Sequence, residues 1–481
     1  MCGIYGSFQP KAGISATLNL GAPLAKLAPR GPDDEGEWRD HRIALGHRRL
    51  RVMDKSSDSN QPMIDSTKGL SLVFNGAIYN YPEIRKELTA AGYHFQTTVG
   101  DTEVILKAYQ HWGDSFVDKL NGMFAIAIYE HNTGELFLAR DRLGIKPLYF
   151  AELNGGAGQA RGEFRFASSL PAILAGGGIS HELDPIALNY YMSFHSVVPA
   201  PHTILRQVRK LPPAHTWRIK ADGSGEPQQY WQPHYGTVEG ISEAEWQEQL
   251  LGTMRKSVAR RLVSDVPVGV LLSGGVDSSL LTGLMAETGH QNLNTFSIGF
   301  DTVGDELGDE FQYSDIVAKE FGTKHHKIHI DESRLLPALP EAISAMSEPM
   351  VSHDAVAFYL LSQEVSKYLK VVQSGQGADE VFAGYHWYPP LLQAQHGFEE
   401  YRELFFDTDH QGFKETVAKY YHGEDYASSY VQKHFNLAGA DTAIDRGLRL
   451  DSHIMLVDDP VKRVDNMTMA HGLEARVPFI D

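Results

Sequence analysis

The chain has 481 residues, 42% of them hydrophobic and 22% charged, and its 43 basic against 61 acidic side chains leave a formal charge of −18. That length predicts roughly two to four domains with ample core, and the acid excess excludes broad binding to a phosphate backbone, which needs a concentrated basic face. Cys2 is the sole cysteine, so no intrachain disulfide forms. A reducing, cytoplasmic compartment is expected, with no signal peptide and no membrane span.

The first half reads as short strands with few helices. Strands are predicted at Ile43–His47, Leu70–Asn75, Met123–Tyr129, Glu135–Arg140, Leu148–Ala151 and Phe164–Ala167, several alternating apolar and polar residues as half-buried strands do. Tyr81–Ala91 and Thr102–Trp112 carry helical spacing. His41 to Arg51 holds four arginines and reads as a solvated strand edge. The glycine-rich 154–162 reads as a hairpin loop. This mixture predicts a layered α+β domain.

From Val197 to about Pro233 the chain is proline-rich without sustained periodicity, as a connection between domains would be. The predicted organisation is therefore a domain over 1–215, a linker over 216–240 and a second domain over 241–481. After the linker the rhythm becomes strand, loop, helix. Val266–Leu272 is an apolar run followed by Ser273-Gly274-Gly275-Val276-Asp277-Ser278-Ser279 and a helix from Leu280. Leu293–Phe300 and Lys327–Ile330 read as strands around a helix at Tyr313–Phe321, and Leu369–Gln373 leads into the loop Ser374–Glu380. Continuous apolar strands alternating with helices predict a parallel sheet covered on both faces. Ligands in such sheets sit beyond the carboxyl ends of the strands, where both loops would meet.

The chemistry starts at Met1-Cys2-Gly3-Ile4. Removal of Met1 would give Cys2 a thiol and a free α-amine, whose pKa of about 7.7–8.0 suits it to act as base beside its own nucleophile. In the second half, Ser-Gly-Gly-x-Asp-Ser between a strand and a helix is a phosphate cradle. Two glycines let the backbone turn tightly, and successive N–H groups and the helix N-terminus bind anions. Asp277 can hold Mg²⁺ there. No Gly-Lys-Ser/Thr closes the loop, so it is not the Walker type.

Further segments follow in order: Arg30-Gly31-Pro32-Asp33, His47-Arg48-Arg49-Leu50, Asn75-Gly76-Ala77-Ile78-Tyr79-Asn80, Asp101-Thr102-Glu103 and Arg140-Asp141-Arg142-Leu143-Gly144-Ile145-Lys146-Pro147. With Cys2 they resemble the class II glutamine amidotransferase domain, an N-terminal-nucleophile sandwich of αββα layers, over roughly residues 1–200. The resemblance implies that Cys2 attacks the glutamine side-chain amide while Asn75 and Gly76 hold the oxyanion. Arg49 would clamp the α-carboxylate and Asp101 the α-ammonium, with Val52 and Ala77 completing the glutamine pocket. The family usually has Glu where Ala77 stands, which removes a second partner for the ammonium.

Ser374-Gly375-Gln376-Gly377-Ala378-Asp379-Glu380 and Gly472-Leu473-Glu474-Ala475-Arg476-Val477-Pro478-Phe479 extend the likeness over nearly the whole chain. It now resembles the asparagine synthetase family, with an α/β ATP pyrophosphatase domain second. The likeness implies that ATP adenylates a carboxylate, that ammonia travels an internal channel to it, and that AMP and pyrophosphate leave. It places Leu271, Ser273, Gly274, Gly275, Asp277, Ser278, Ile298, Ser374 and Gly375 at ATP, Asp277 and Asp379 at the metal, and Gln376 and Asn466 in the synthetase site. The family usually has Glu at Gln376 and Lys at Asn466. With those changes, Pro340–Tyr359 and Val371–Pro390 resemble the branch that amidates N-acetylglutaminylglutamine, an osmolyte precursor.

Aspartate is the alternative acceptor, and a catalytically impaired regulatory or scaffold homologue is the alternative of another class. A β-lactam-synthetase-like protein is disfavoured by the intact Cys2. The small-molecule partners expected are glutamine, ATP and the carboxylate, with no nucleic acid and, by family likeness, a homodimer. His325, His326 and His329 read as surface or core histidines, and His353-Asp354 receives no role. The family continues past the Arg-Val-Pro-Phe motif, so a chain truncated at its C-terminus is expected.

Overall fold

The computed structural model describes residues 2–10, 19–153, 162–236, 238–289, 292–300, 308–350 and 353–481; the expected 154–162 hairpin loop lies, but for its last residue, outside them. The chain forms two units. One takes Met1–Pro233, Ser347–Pro349 and Arg402–Lys433, the other His234–Met346, Met350–Tyr401 and His434–Asp481.

The strands of the first unit are β1 (Gly3–Phe8), β2 (Asp34–Arg39), β3 (Ile43–Arg49), β4 (Met63–Asp65), β5 (Leu70–Ile78), β6 (Gly122–Glu130), β7 (Glu135–Arg140), β8 (Tyr149–Leu153), β9 (Glu163–Ala167), β10 (Val208–Lys210), β11 (His215–Ile219) and β12 (Gln228–Gln229). They build two six-stranded sheets in the orders β10-β8-β9-β1-β3-β2 and β12-β11-β7-β6-β5-β4, with antiparallel neighbours. Period-two geometry sends successive side chains to opposite faces. Val73 therefore faces Ile4, Ile43 and Ala127 between the sheets, while Leu72 and Phe74 face the helices Tyr81–Ala90 and Thr102–Trp112. On the far side, Tyr5 and Ala44 pack under the helices Gly21–Leu27 and Leu170–Ala175. The layers are α, β, β, α.

Three expectations change here. The central strands are not half-buried, because helices cover the faces that the sheets leave; every residue of β5 but Gly76 is buried. The arginine-rich stretch is not a solvated edge, since β3 lies between β1 and β2 and Arg49 is 3% exposed. Residues 216–219, expected in a linker, form most of β11, paired with β7, and bury Trp217 and Ile219 in alternation. The prolines flanking this strand masked its period.

Among its described residues the second unit has one parallel sheet of β13 (Val268–Leu271), β14 (Asn294–Phe300), β15 (Lys324–Ile330), β16 (Val371–Gln373) and β17 (Glu474–Arg476), ordered β15-β14-β13-β16-β17. The sequence passes from β13 outward to β15 and then returns to β13's other side at β16. That reversal opens a crevice beyond the carboxyl ends of β13 and β16. Leu271, Phe296 and Val372 pack against Leu361, Val365 and Val464 from covering helices. The helix after β13 begins at Val276, not Leu280, which moves Asp277, Ser278 and Ser279 into its first turn. Gly275 makes that start possible with no side chain to obstruct an approaching anion. His325 bonds Thr295 and His326 stacks on Phe296. No helix among the described residues is long and apolar enough to cross a membrane.

Candidate active sites

Cys2 immediately precedes β1 and is 8% exposed. Its backbone N–H donates to Asn75 Oδ1 at 3.0 Å, and Arg30 Nε donates to its carbonyl at 3.3 Å. Asn75 is fully buried on β5, and its Nδ2 has no hydrogen-bond partner among the described residues. A buried amide donor without a partner carries a free-energy cost, which an oxyanion would relieve. Gly76 follows where a Cβ would collide with the Met123 carbonyl and lie 2.8 Å from Phe124 Cα, so only glycine lets β5 pair with β6 there.

Asp101 precedes the helix Thr102–Trp112 and accepts from the Ile78 N–H at 3.0 Å, which sets it beside Ala77. Arg49, at the end of β3, donates to Ser56 O at 2.6 Å, to Asn60 Oδ1 at 2.5 Å and to Asp54 O. Those bonds engage three of its five N–H groups, so the guanidinium is aimed by the 54–60 loop. Val52 is buried at the root of that loop. Burial also raises the cost of charging Asp54, but bonds from Ser56 and Ser59 and the Arg49 charge outweigh it and hold the carboxyl below its usual range.

The motif His47-Arg48-Arg49-Leu50 implies no role for His47. Its ring Nε2 lies 3.3 Å from Phe74 O, tying β3 to the residue before Asn75. Burial, reinforced by the Arg49 charge, depresses its pKa to about 3. The neutral ring then donates to the carbonyl. The Arg140–Pro147 motif is scaffold: buried Asp141 accepts from the N–H groups of Phe124, Ile145 and Lys146, and Arg140 donates to Gly144, Lys146 and Leu211 carbonyls.

In the second unit, the loops after β13 and β16 line one cavity of about 420 Å³. Leu271, Ser273, Gly275, Asp277, Ser278, Ile298, Ser374, Gly375, Gln376 and Asp379 all border it. Gly274 does not, but it has φ +95° and a Cβ there would lie 2.6 Å from Tyr313 Cβ. The turn is held by Ser273 and Ser278 hydroxyls 3.0 Å apart and by the Gly275 N–H donating to Ser273 Oγ. Ser374 N–H donates to Arg476 O at 2.9 Å, fastening the second loop to β17.

Asp277 and Asp379 face the same space. Burial, and then the Asp379 charge, hold the Asp277 carboxyl above its usual range. Two carboxylates that repel each other at a phosphate cradle fit a divalent cation, which would take its remaining ligands from phosphate oxygens and water. No group of three or more His, Cys, Asp or Glu among the described residues forms a metal cluster.

Asn466 does not border the cavity. The side chain that does, from the same helix Lys462–Met469, is Arg463, held 3.4 Å from Asp354. A cation therefore stands in the cavity wall although the resemblance placed neutral Asn466 at the site. Glu310, Asp354 and Phe358 also line the cavity and were missed. Their signal was weak, since none lies in a glycine-rich loop.

Comparison with known proteins bears on both units. Residues 1–231 match a family described as glutamine amidotransferase domain, and residues 249–481 match asparagine synthase. Asparagine synthetase [glutamine-hydrolyzing] 1 of Bacillus subtilis (strain 168) is 30% identical over 100% of this chain and 79% of its own length. The synthetase numbered 3 of the same organism is 31% identical over the same shares. Asparagine synthetase B [glutamine-hydrolyzing] of Escherichia coli (strain K12) is 30% identical over 83% of this chain and 67% of its own.

Proposed function

Because this chain belongs to the glutamine-hydrolysing asparagine synthetase family, and is thus a ligase with glutamine as amido donor, we propose that it amidates the carboxylate of N-acetylglutaminylglutamine. In the first unit, Cys2 Sγ attacks the glutamine side-chain carbonyl once Met1 has been removed, and the α-amine takes the thiol proton. Asn75 Nδ2 and the Gly76 N–H hold the oxyanion. Ammonia leaves with that proton, and water then cleaves the glutamyl thioester to glutamate. Arg49 and Asp101 hold the two charged ends of the substrate. The observation that carries the glutaminase half of the reading is the Asn75 amide, bonded to Cys2 N at one end and without a partner among the described residues at the other.

In the second unit, the 273–278 turn holds the ATP phosphates and Ser374 and Gly375 border the nucleotide. Asp277 and Asp379 would hold Mg²⁺, which supplies neutralising charge to the phosphate oxygens. The acceptor carboxylate attacks the α-phosphorus and pyrophosphate leaves. Ammonia, delivered from the first unit, then attacks the acyl carbon and AMP departs. Arg463 offsets the negative charge of the acyl-adenylate.

Gln376 supports the dipeptide acceptor. It lines the cavity where a carboxylate is usual, and a neutral amide suits an acceptor with no free ammonium. Aspartate is the second reading. The curated relatives are named for asparagine, and Arg463, Asp354 and Glu310 offer the cavity one cation and two carboxylates, which could match an α-carboxylate and an α-ammonium. ATP–pyrophosphate exchange with each acceptor decides between them. The acetylated dipeptide is expected to give at least about tenfold higher kcat/KM than aspartate; efficient exchange with aspartate and none with the dipeptide would overturn the proposal.

A further inference from the structure

Asp54 stands at the start of the 54–60 loop with φ +52°, a left-handed backbone that costs most L-residues energy and that Asp tolerates better than most. It is 3% exposed and braces the loop from inside. Its Oδ1 accepts from the Ser56 N–H at 2.9 Å and its Oδ2 from the Ser59 hydroxyl at 2.5 Å, so one carboxylate brackets the short turn Ser57–Ser59. Ser56 O, Asn60 Oδ1 and the carbonyl of Asp54 itself belong to this braced segment, and they are the three acceptors of Arg49. Among the described residues the loop leaves Arg49 its Nε–H and one Nη2–H, two donors that match the two oxygens of a carboxylate.

The same knot meets the chain that carries the opposite charge. Gly100, immediately before Asp101, has φ +97°, and a Cβ there would lie 3.0 Å from Asp54 Cβ and 3.2 Å from Ser59 Oγ. The knot is therefore seated against the backbone that delivers Asp101, whose Oδ2 accepts from the Ile78 N–H at 3.0 Å. One buried carboxylate braces the acceptors of the arginine and packs against the approach to the aspartate. A substrate held by both its charged ends needs the distance between its two partners kept constant, because a small misplacement forfeits the fit.

We propose that Asp54 is a positioning residue that sets the spacing between Arg49 and Asp101, so that glutamine is gripped by its α-carboxylate and α-ammonium at once. The claim rests on the glutaminase reading above. Asn75 and Gly76 are held by pairing with β6, and the Cys2 N–H by Asn75. Loss of Asp54 therefore weakens substrate binding and spares the chemical step.

The test measures glutamate release by the full-length protein as wild type, Asp54→Gly, Asp54→Asn and Ser59→Ala. Glycine accepts the left-handed backbone and removes the carboxylate; it should raise KM for glutamine at least about tenfold with kcat within about threefold. Asparagine keeps an acceptor for the Ser56 N–H and should leave KM within about twofold of wild type. Ser59→Ala deletes one bond of the knot and should raise KM at least about threefold; it decides the matter if Asp54→Gly does not fold. In an Arg49→Ala background, Asp54→Gly should change kcat/KM by less than about twofold, since a spacing needs both of its ends. A lower kcat at unchanged KM, a full additional loss in the Arg49→Ala background, or wild-type KM in the folded Gly or Ser59→Ala variant would overturn the proposal. Calorimetric binding of glutamine to Cys2→Ala protein separates the two claims. Wild type that releases no glutamate sinks the glutaminase reading, whereas a glutamine Kd unchanged by adding Asp54→Gly overturns the positioning role whatever the chemistry.

Discussion

The two units solve the placement of reactive groups in opposite ways. In the first, Asn75 and Gly76 sit on a strand buried between covered faces and are fixed by backbone pairing, and Cys2, just ahead of β1, is bonded through its N–H to Asn75 Oδ1. In the second, the corresponding residues lie on loops and a helix start around an open cavity, and two of them, Asp277 and Asp379, repel each other. A covalent nucleophile needs an angle and a distance that do not change, which strands give. A nucleotide site must accept charge that arrives with the ligand, so its own charges are left uncompensated until then.

The hardest way to break the comparison is to remove the nucleophile. Cys2→Ala should lower glutamate release by at least about a thousandfold, while AMP formation driven by ammonium salts stays within about twofold. If the ammonia-driven reaction falls equally, the units are not chemically separable and the contrast fails. Asn75→Ala comes next. Losing one oxyanion donor costs about a hundredfold to a thousandfold in kcat, with KM for glutamine changed far less. A rise in KM at constant kcat would mean that Asn75 binds ground-state glutamine.

The legible parts of the sequence follow the same division. Strands β13, β14 and β16 showed as apolar runs because helices cover both faces, and the glycine loops after them announced the cavity. β1 and β2 went unseen: β1 is six residues with two glycines, and β2 alternates charged residues on an edge. Arg463 was missed for a geometrical reason. It lies three residues from Asn466 on one helix, and only packing decides which of the two reaches the cavity. The excursion of Arg402–Lys433 into the first unit has no local signature either. Its ties are long-range, such as Asn189 Oδ1 accepting from Ala427 N–H and the Tyr190 ring against Tyr430 at 5.4 Å. Motifs report local backbone needs; they do not report which distant surface an element will cover.

Acidity sharpens the contrast. His47 is buried neutral, with its pKa depressed to about 3 from 6.5. Above pH 6.5 both folded and unfolded forms are neutral and its stability contribution is fully present. As pH falls below 6.5 the unfolded chain takes up a proton that the folded one refuses, so stability declines towards pH 3. His47→Gln keeps a donor for the Phe74 carbonyl and removes that loss. Denaturant unfolding at pH 4 should find wild type about 3 kcal/mol worse relative to the variant than at pH 8. A difference that does not vary with pH would show that the ring is not buried neutral.

Glu380 in the second unit moves the other way. It is 1% exposed. Burial, with the charges of Asp379 and Asp451, raises its pKa from 4.5 to about 7 against the opposing bond from Tyr385 Oη at 2.7 Å. Below pH 4.5 both states are protonated and no stability is lost. Between 4.5 and 7 the unfolded carboxyl ionises while the folded one holds its proton, so stability falls as pH rises and then levels. Glu380→Gln still accepts from Tyr385 but cannot ionise. Its advantage over wild type should therefore be absent at pH 4, reach about 2 kcal/mol at pH 6 and grow little beyond pH 7. Asp451, raised to about 6 by burial against three donors, Tyr388, Tyr401 and Trp387, is present in both proteins and enters the difference only through its charge coupling to Glu380. An advantage that appears at pH 4, or that shrinks on the way to pH 7, would mean that Glu380 is ionised in the folded state and that the second unit holds its surplus negative charge openly, even behind the cavity wall.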